Sequence, residues 1–153
     1  ALTRLKREDE LELVRETLEK YRHRLMISAW ANHSSSTAAR ALRQTQLLGD
    51  PEILPAGWLP DLLANVREPR DRLTLRIQHA RLSNDWEEIA AAASEAIADH
   101  PSYYGYYGDL AEANWHLGRK DEVKEPLEVF LKYCQNEDNL PQLQKIAEEL
   151  AAQ

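Results

Sequence analysis

The sequence predicts an all-α chain: a short solenoid of antiparallel helix pairs, preceded by a long N-terminal helix and closed by a C-terminal capping helix. Three observations carry this. Residues 70–102 align with 104–136 at an offset of 34, so that Asn84-Asp85 falls on Gly118-Arg119. In the same alignment Ile89, Ala93, Ala96 and Ile97 fall on Val123, Leu127, Phe130 and Leu131. Apolar residues recur three and four apart along most of the chain, the period of an amphipathic helix. Residues 2–32, finally, contain neither Gly nor Pro, so nothing in them interrupts a helix.

The N-terminal segment, 1–34, reads as one long helix with an apolar stripe of Leu11, Val14, Leu18, Tyr21 and Leu25, widened by Met26, Ala29 and Trp30. A helix of that extent is about 40 Å long. Its stripe is expected to pack on the helices that follow. The spacing also permits a coiled-coil or dimer seam. Asn32-His33-Ser34-Ser35-Ser36 then breaks the helix, and one of the serines is expected to cap the next. That next helix, about 37–48, shows Ala38, Ala41, Leu42, Thr45 and Leu48 on one face and stops at Gly49-Asp50-Pro51.

Residues 51–69 are the least regular, with prolines at 51, 55, 60 and 69. Leu59–Val66 still reads as a short helix, because Pro60 falls in its first turn, where a missing N–H costs nothing. The irregular pair 35–69 also has the length of a further, degenerate repeat with its turn at Gly49-Asp50. Helices follow at about 70–83, with Leu73, Leu75, Ile77, Ala80 and Leu82 apolar, and at 86–99, rich in alanine. The next starts in Tyr103-Tyr104-Gly105-Tyr106-Tyr107-Gly108 and ends at Gly118; glycines there are costly unless something approaches the backbone. A helix at about 121–133 contains Pro126, which predicts a late start or a kink. Asn139-Leu140-Pro141 opens the last helix, with Leu140, Leu143, Ile146, Ala147 and Leu150 on one side. A repeat array needs such a cap, since its last repeat has no neighbour.

A 34-residue period of paired helices is the length of the tetratricopeptide repeat. The segment Ser83–Pro101, with its Asn84-Asp85 turn, Trp86, the small Ala93 and Ala96 and the terminal Pro101, resembles the second half of such a repeat. Ala111–Val123, with Leu110-Ala111 and the Gly118 turn, resembles the middle of another. The resemblance covers about two repeats, 70–103 and 104–137, with 138–153 as the cap. Asn114, Val123 and Gln135 stand where the family carries an aromatic, Ala and Pro. The resemblance implies a scaffold that holds a peptide or partner helix in the groove lined by the first helix of each repeat. Carried over, that groove is Asp71, Thr74, Leu75, Gln78, Arg81 and Leu82, then Gly105, Gly108, Asp109, Glu112, Trp115 and His116. Gln78, Arg81, Asp109, Glu112 and His116 would supply hydrogen bonds, and Trp115 an apolar or cation–π contact. The family's clamp for C-terminal carboxylates uses several Lys, Arg and Asn side chains, and here only Arg81 and Asn114 are at hand.

The chain of 153 residues has the size of a single helical domain. Its net charge of −7 is unevenly placed: 1–69 holds ten Lys/Arg and ten Asp/Glu, 70–153 nine and sixteen. A nucleic-acid partner is disfavoured, because phosphate binding needs a concentrated basic surface. A basic or neutral protein or peptide is the expectation. Cys134 is the sole cysteine, so no internal disulfide holds the fold. A cytoplasmic setting is favoured, with a periplasmic or membrane-tethered one compatible. No window reaches the roughly 18 apolar residues of a membrane span.

Catalytic chemistry finds no foothold in the sequence. The five histidines show no His-x3-His spacing, and Ser34–Ser36 lack a hydrolase elbow. Gly105–Gly108 lacks the Gly-Lys-Ser/Thr ending of a phosphate loop. No enzyme, cofactor or metal is therefore expected. The predicted function is non-catalytic protein–protein interaction, as part of a larger protein or assembly; the alternative is homo-oligomerisation through the N-terminal stripe.

Overall fold

The computed structural model describes residues 11–17, 20, 21, 24, 38–40, 42, 45 and 58–152. All regular secondary structure among the described residues is helical. The expected break at 32–36, the stop at 49–51 and the turn that would divide a third repeat lie outside the described residues. Contacts divide the chain into two compact units, Ala1–Ser83 and Asn84–Gln153. The division falls inside the first predicted repeat, between its two helices.

In the first unit, residues 11–17 are helical and every one of them is exposed. Leu11, Val14 and Tyr21 are 68%, 56% and 40% exposed, so the expected packing of this stripe on later helices does not occur at those residues. The 3-4 spacing that made the helix legible carries no information about what covers its apolar face.

Helix α1 (Trp58–Asn65) has Pro60 in its first turn, as expected, and Asn65 Nδ2 donates to the Asp61 carbonyl. Helix α2 (Pro69–Leu82) opens with Pro69, whose absent N–H is one of the unsatisfied first-turn donors anyway. Leu75 joins Ala38, Leu42, Leu62 and Val66 in the core of this unit. Leu73, Ile77 and Ala80 are buried too, although on the other side of the helix, since residues two apart lie about 200° around it. Burial on two sides explains why α2 lacks a clean apolar stripe.

The second unit starts at Asn84, held at φ 53, a left-handed geometry that asparagine tolerates. Asp85 then caps helix α3 (Trp86–Asp99), its carboxylate accepting from the Glu88 N–H at 3.1 Å. The buried face of α3 is Ile89, Ala90, Ala92, Ala93 and Ala96, and these short side chains let it lie close against helix α4 (Gly105–His116). Gly118, at φ 73, ends that hairpin arm. Arg119 N–H bonds back to the Asn114 carbonyl, while Asn114 Nδ2 donates to the Glu122 carbonyl, so a buried amide pins the turn.

Pro126 delays the next helix. Residues Lys120–Glu122 form a single 3-10 turn, and helix α5 (Lys124–Tyr133) follows with Pro126 in its first turn. Helix α6 (Leu140–Ala151) packs on both α4 and α5. Ala111, Val123, Leu127, Phe130, Cys134, Leu143 and Ile146 form the core among these three. Phe130 is fully buried where the first copy has Ala96, and Gly108 makes room for it: a Cβ there would stand 2.6 Å from the Phe130 ring and 3.0 Å from Leu143.

Candidate functional site

Of the residues expected to line a groove, Gln78 and Arg81 lie on α2 in the first unit, and Asp109, Glu112, Trp115 and His116 on α4 in the second. Leu75 is core and offers nothing to a partner. Gln78 and Arg81 are half-buried, and the side-chain oxygen of Gln78, shielded from solvent, has no hydrogen-bond partner among the described residues.

On α4, the structure sorts the four candidates by depth. Glu112 is 3% exposed and faces the chain's own α6, where Gln142 Nε2 donates to its carboxylate at 2.7 Å. Gly108, one turn earlier, is buried against Phe130 and Leu143. The capping helix thus covers this strip of α4. Asp109 and Trp115 are half-buried, and His116 is exposed.

His116 belongs to a ring and charge cluster at the C-terminal end of α4, whereas Trp115 packs half-buried against the core that holds Ala111, Val123 and Phe130. Residues 86 and 116 lie symmetrically about the hairpin that joins α3 to α4, and their rings stack with centroids 3.9 Å apart and planes 9° from parallel. Beside them, one Arg119 nitrogen donates to both Glu87 carboxylate oxygens, at 2.7 and 2.8 Å. Lys120 Nζ stands 5.9 Å from the Trp115 ring centroid, within cation–π range. The cluster offers flat apolar area, a histidine ring and flexible charged groups within two helix ends. It suits recognition of another surface.

The other end of α4 carries a tyrosine cluster. Tyr104 stacks on Tyr133 at 4.2 Å, Lys132 Nζ lies 5.0 Å from the Tyr133 ring, and Tyr107 donates its hydroxyl to the Pro101 carbonyl. Cys134, next along, is buried; burial raises its thiol above the ordinary range, and the nearby Glu137 charge adds to the rise.

Sequence reasoning missed Trp86 and the Glu87–Arg119 pair as parts of a site. The signal was present, because an antiparallel hairpin centred near residue 101 brings the start of one helix to the end of the next. What the sequence does not show is that the unit boundary follows Ser83. Counted by that boundary, residues 84–153 hold fifteen Asp/Glu against five Lys/Arg.

Over 136 residues the sequence is 28% identical to the serine/threonine-protein kinase ATR of Arabidopsis thaliana, an alignment that takes in 85% of this chain and 5% of that protein. The chain therefore spans about one twentieth of the curated relative it matches. No protein-family model matches the chain, and no solved structure matches it. Among the described residues no helix is long and apolar enough to cross a membrane.

Proposed function

We propose that this chain is a non-catalytic helical scaffold segment, similar in plan to tetratricopeptide repeats and part of a larger polypeptide, which binds a basic peptide or partner helix. The observation that carries the reading is the stacked Trp86–His116 pair, set in a unit with three times as many acidic as basic residues. Aromatic anchors supply contact area at low entropic cost, and the acidic surround steers cations toward them. Asp109 contributes from the same helix, whereas Glu112 serves the attachment of α6. Gln78 and Arg81, half-buried on α2, form a separate contact set on the first unit. Similarity to 5% of a much longer protein supports placement as one segment of a long polypeptide.

The test is a titration, followed by NMR of the indole and backbone amides, with two amphipathic helical peptides of equal apolar face. One has Lys/Arg on its polar face, the other Asp/Glu. The basic peptide is expected to bind at least about tenfold more tightly at low salt and to shift the Trp115 indole. The W115A/H116A pair is expected to cost about 1–2 kcal/mol of binding. D109K alone is the charge control, since a substitution at the buried Glu112 would disturb α6. Equal binding of the two peptides, or indifference to W115A/H116A, rejects the site.

A further inference from the structure

The ion pair beside the Trp86–His116 stack is built as a contact that can be exchanged. Glu87 follows Trp86, and Arg119 lies three residues beyond His116, so the pair joins the same two helix ends as the rings. A single Arg119 nitrogen, Nη2, donates to both Glu87 carboxylate oxygens, at 2.7 and 2.8 Å. Guanidinium and carboxylate meet most favourably as a fork, two nitrogens on two oxygens, and this pair does not use that geometry. It is also open to water, with the Glu87 side chain 65% exposed and that of Arg119 38%. Such pairs contribute little and are readily broken.

The chemistry of the exchange names the partner's anchoring group. A lysine that displaced Arg119 from Glu87 would replace one single-nitrogen contact by another and gain nothing, whereas an arginine would replace it by a fork. A guanidinium is also planar and stacks on rings, and His116, which covers one face of the Trp86 ring with planes 9° apart, is itself exposed. We propose that the basic partner engages this site through an arginine, and that Arg119 occupies that arginine's seat on Glu87 until the partner displaces it. The proposal rests on the reading of the Trp86–His116 pair as the partner site, and adds to it the identity of the anchoring residue and an internal competitor. Displacing Arg119 costs little, because the turn it lies in also carries the exposed Asp121 and Glu122, and its charge remains in water. The competitor thus lowers the affinity of every cationic ligand and leaves an advantage to the one that can form the fork.

Titration of the full chain at low salt with two peptides of one amphipathic sequence, basic positions all arginine in one and all lysine in the other, tests this. The arginine peptide is expected to bind about fivefold more tightly or better. R119Q is expected to tighten the arginine peptide about threefold to fivefold, since the competitor is gone. K120Q removes the same charge one residue away and is expected to give a smaller gain, equal for both peptides. E87Q is expected to abolish the preference for arginine, and E87Q/R119Q to bind no more tightly than E87Q, because without the seat there is nothing to compete for. All four substitutions change exposed or half-exposed side chains, and an unchanged helical circular-dichroism spectrum confirms that each variant is folded. Equal binding of the two peptides overturns the arginine seat, as does a gain from R119Q no larger than that from K120Q, and both outcomes leave the partner site standing. Failure of either peptide to bind at all removes the Trp86–His116 reading and the seat with it.

Discussion

Gly108 shows how one residue sets the packing of three helices. A methyl group at this position would meet the Phe130 ring at 2.6 Å, and neither the ring, which is fully buried, nor Leu143 behind it has room to retreat. Gly108→Ala should therefore destabilise the second unit by about 1–3 kcal/mol, even though alanine is the better helix former by about 1 kcal/mol. Gly105, three residues earlier, has no atom within 4 Å of its would-be Cβ. Gly105→Ala is accordingly expected to be neutral or to stabilise by about 0.5 kcal/mol. Urea unfolding of the two variants separates the cases, and equal effects would remove the packing argument. The sequence flags both glycines as unusual in a helix start, but only the three-dimensional neighbours tell them apart.

Cys134 carries a pH prediction at the same scale. Burial and then Glu137 raise its folded-state pKa, so its protonated form is favoured in the folded chain. Below the ordinary thiol range the contribution to stability is complete. As pH rises through that range the unfolded thiol ionises first, and stability falls until the folded thiol has ionised as well. Cys134→Ala should flatten this alkaline loss, and the native thiol should react slowly with maleimide near pH 7.5.

At the scale of elements, the starts of helices were the most legible features. Asp85 with Glu88, Pro60 and Pro69 each act within a single turn, so local sequence suffices, and α3 begins at Trp86 as expected. Pro126 announced a late start to α5, and the structure inserts a 3-10 turn before it. The use of faces was less legible. Nothing in the 3-4 spacing distinguishes a face that meets its own chain from one left in water, and so Leu11, Val14 and Tyr21, expected to pack on later helices, lie at the surface instead. Glu112 shows the same limit, because its burial depends on where α6 lies. Helix α6 is attached by Leu143 and Ile146 in the core and by Gln142 on Glu112. Leu143→Ala should cost about 2–5 kcal/mol through the cavity it leaves. Gln142→Ala should cost about 1–3 kcal/mol, because it removes the Gln142 donor from a buried carboxylate. Hydrogen exchange of α4 amides near 108–112 is the measurement; protection that survives both changes would mean that α6 does not cover this strip.

At the scale of the whole molecule, the charge is divided more sharply than either half of the sequence suggests. The first unit holds fourteen Lys/Arg against eleven Asp/Glu, and the second five against fifteen. Two electrostatic effects then compete within the second unit as salt is added. Screening weakens its ion pairs, but Glu87–Arg119 has side chains 65% and 38% exposed, and pairs of that kind are worth at most about 1 kcal/mol. Screening also relieves repulsion among the excess carboxylates, which acts over distances of tens of ångströms at about 10 mM salt and is confined to a few at 0.5 M. The long-range term involves many more charges and should win. The second unit should gain about 1–2 kcal/mol between those salt concentrations, or several degrees in Tm. Trp86 and Trp115 can report this unfolding once Trp30 and Trp58 are changed to Phe. A fall in Tm with salt would show that local pairs outweigh the repulsion among the excess carboxylates.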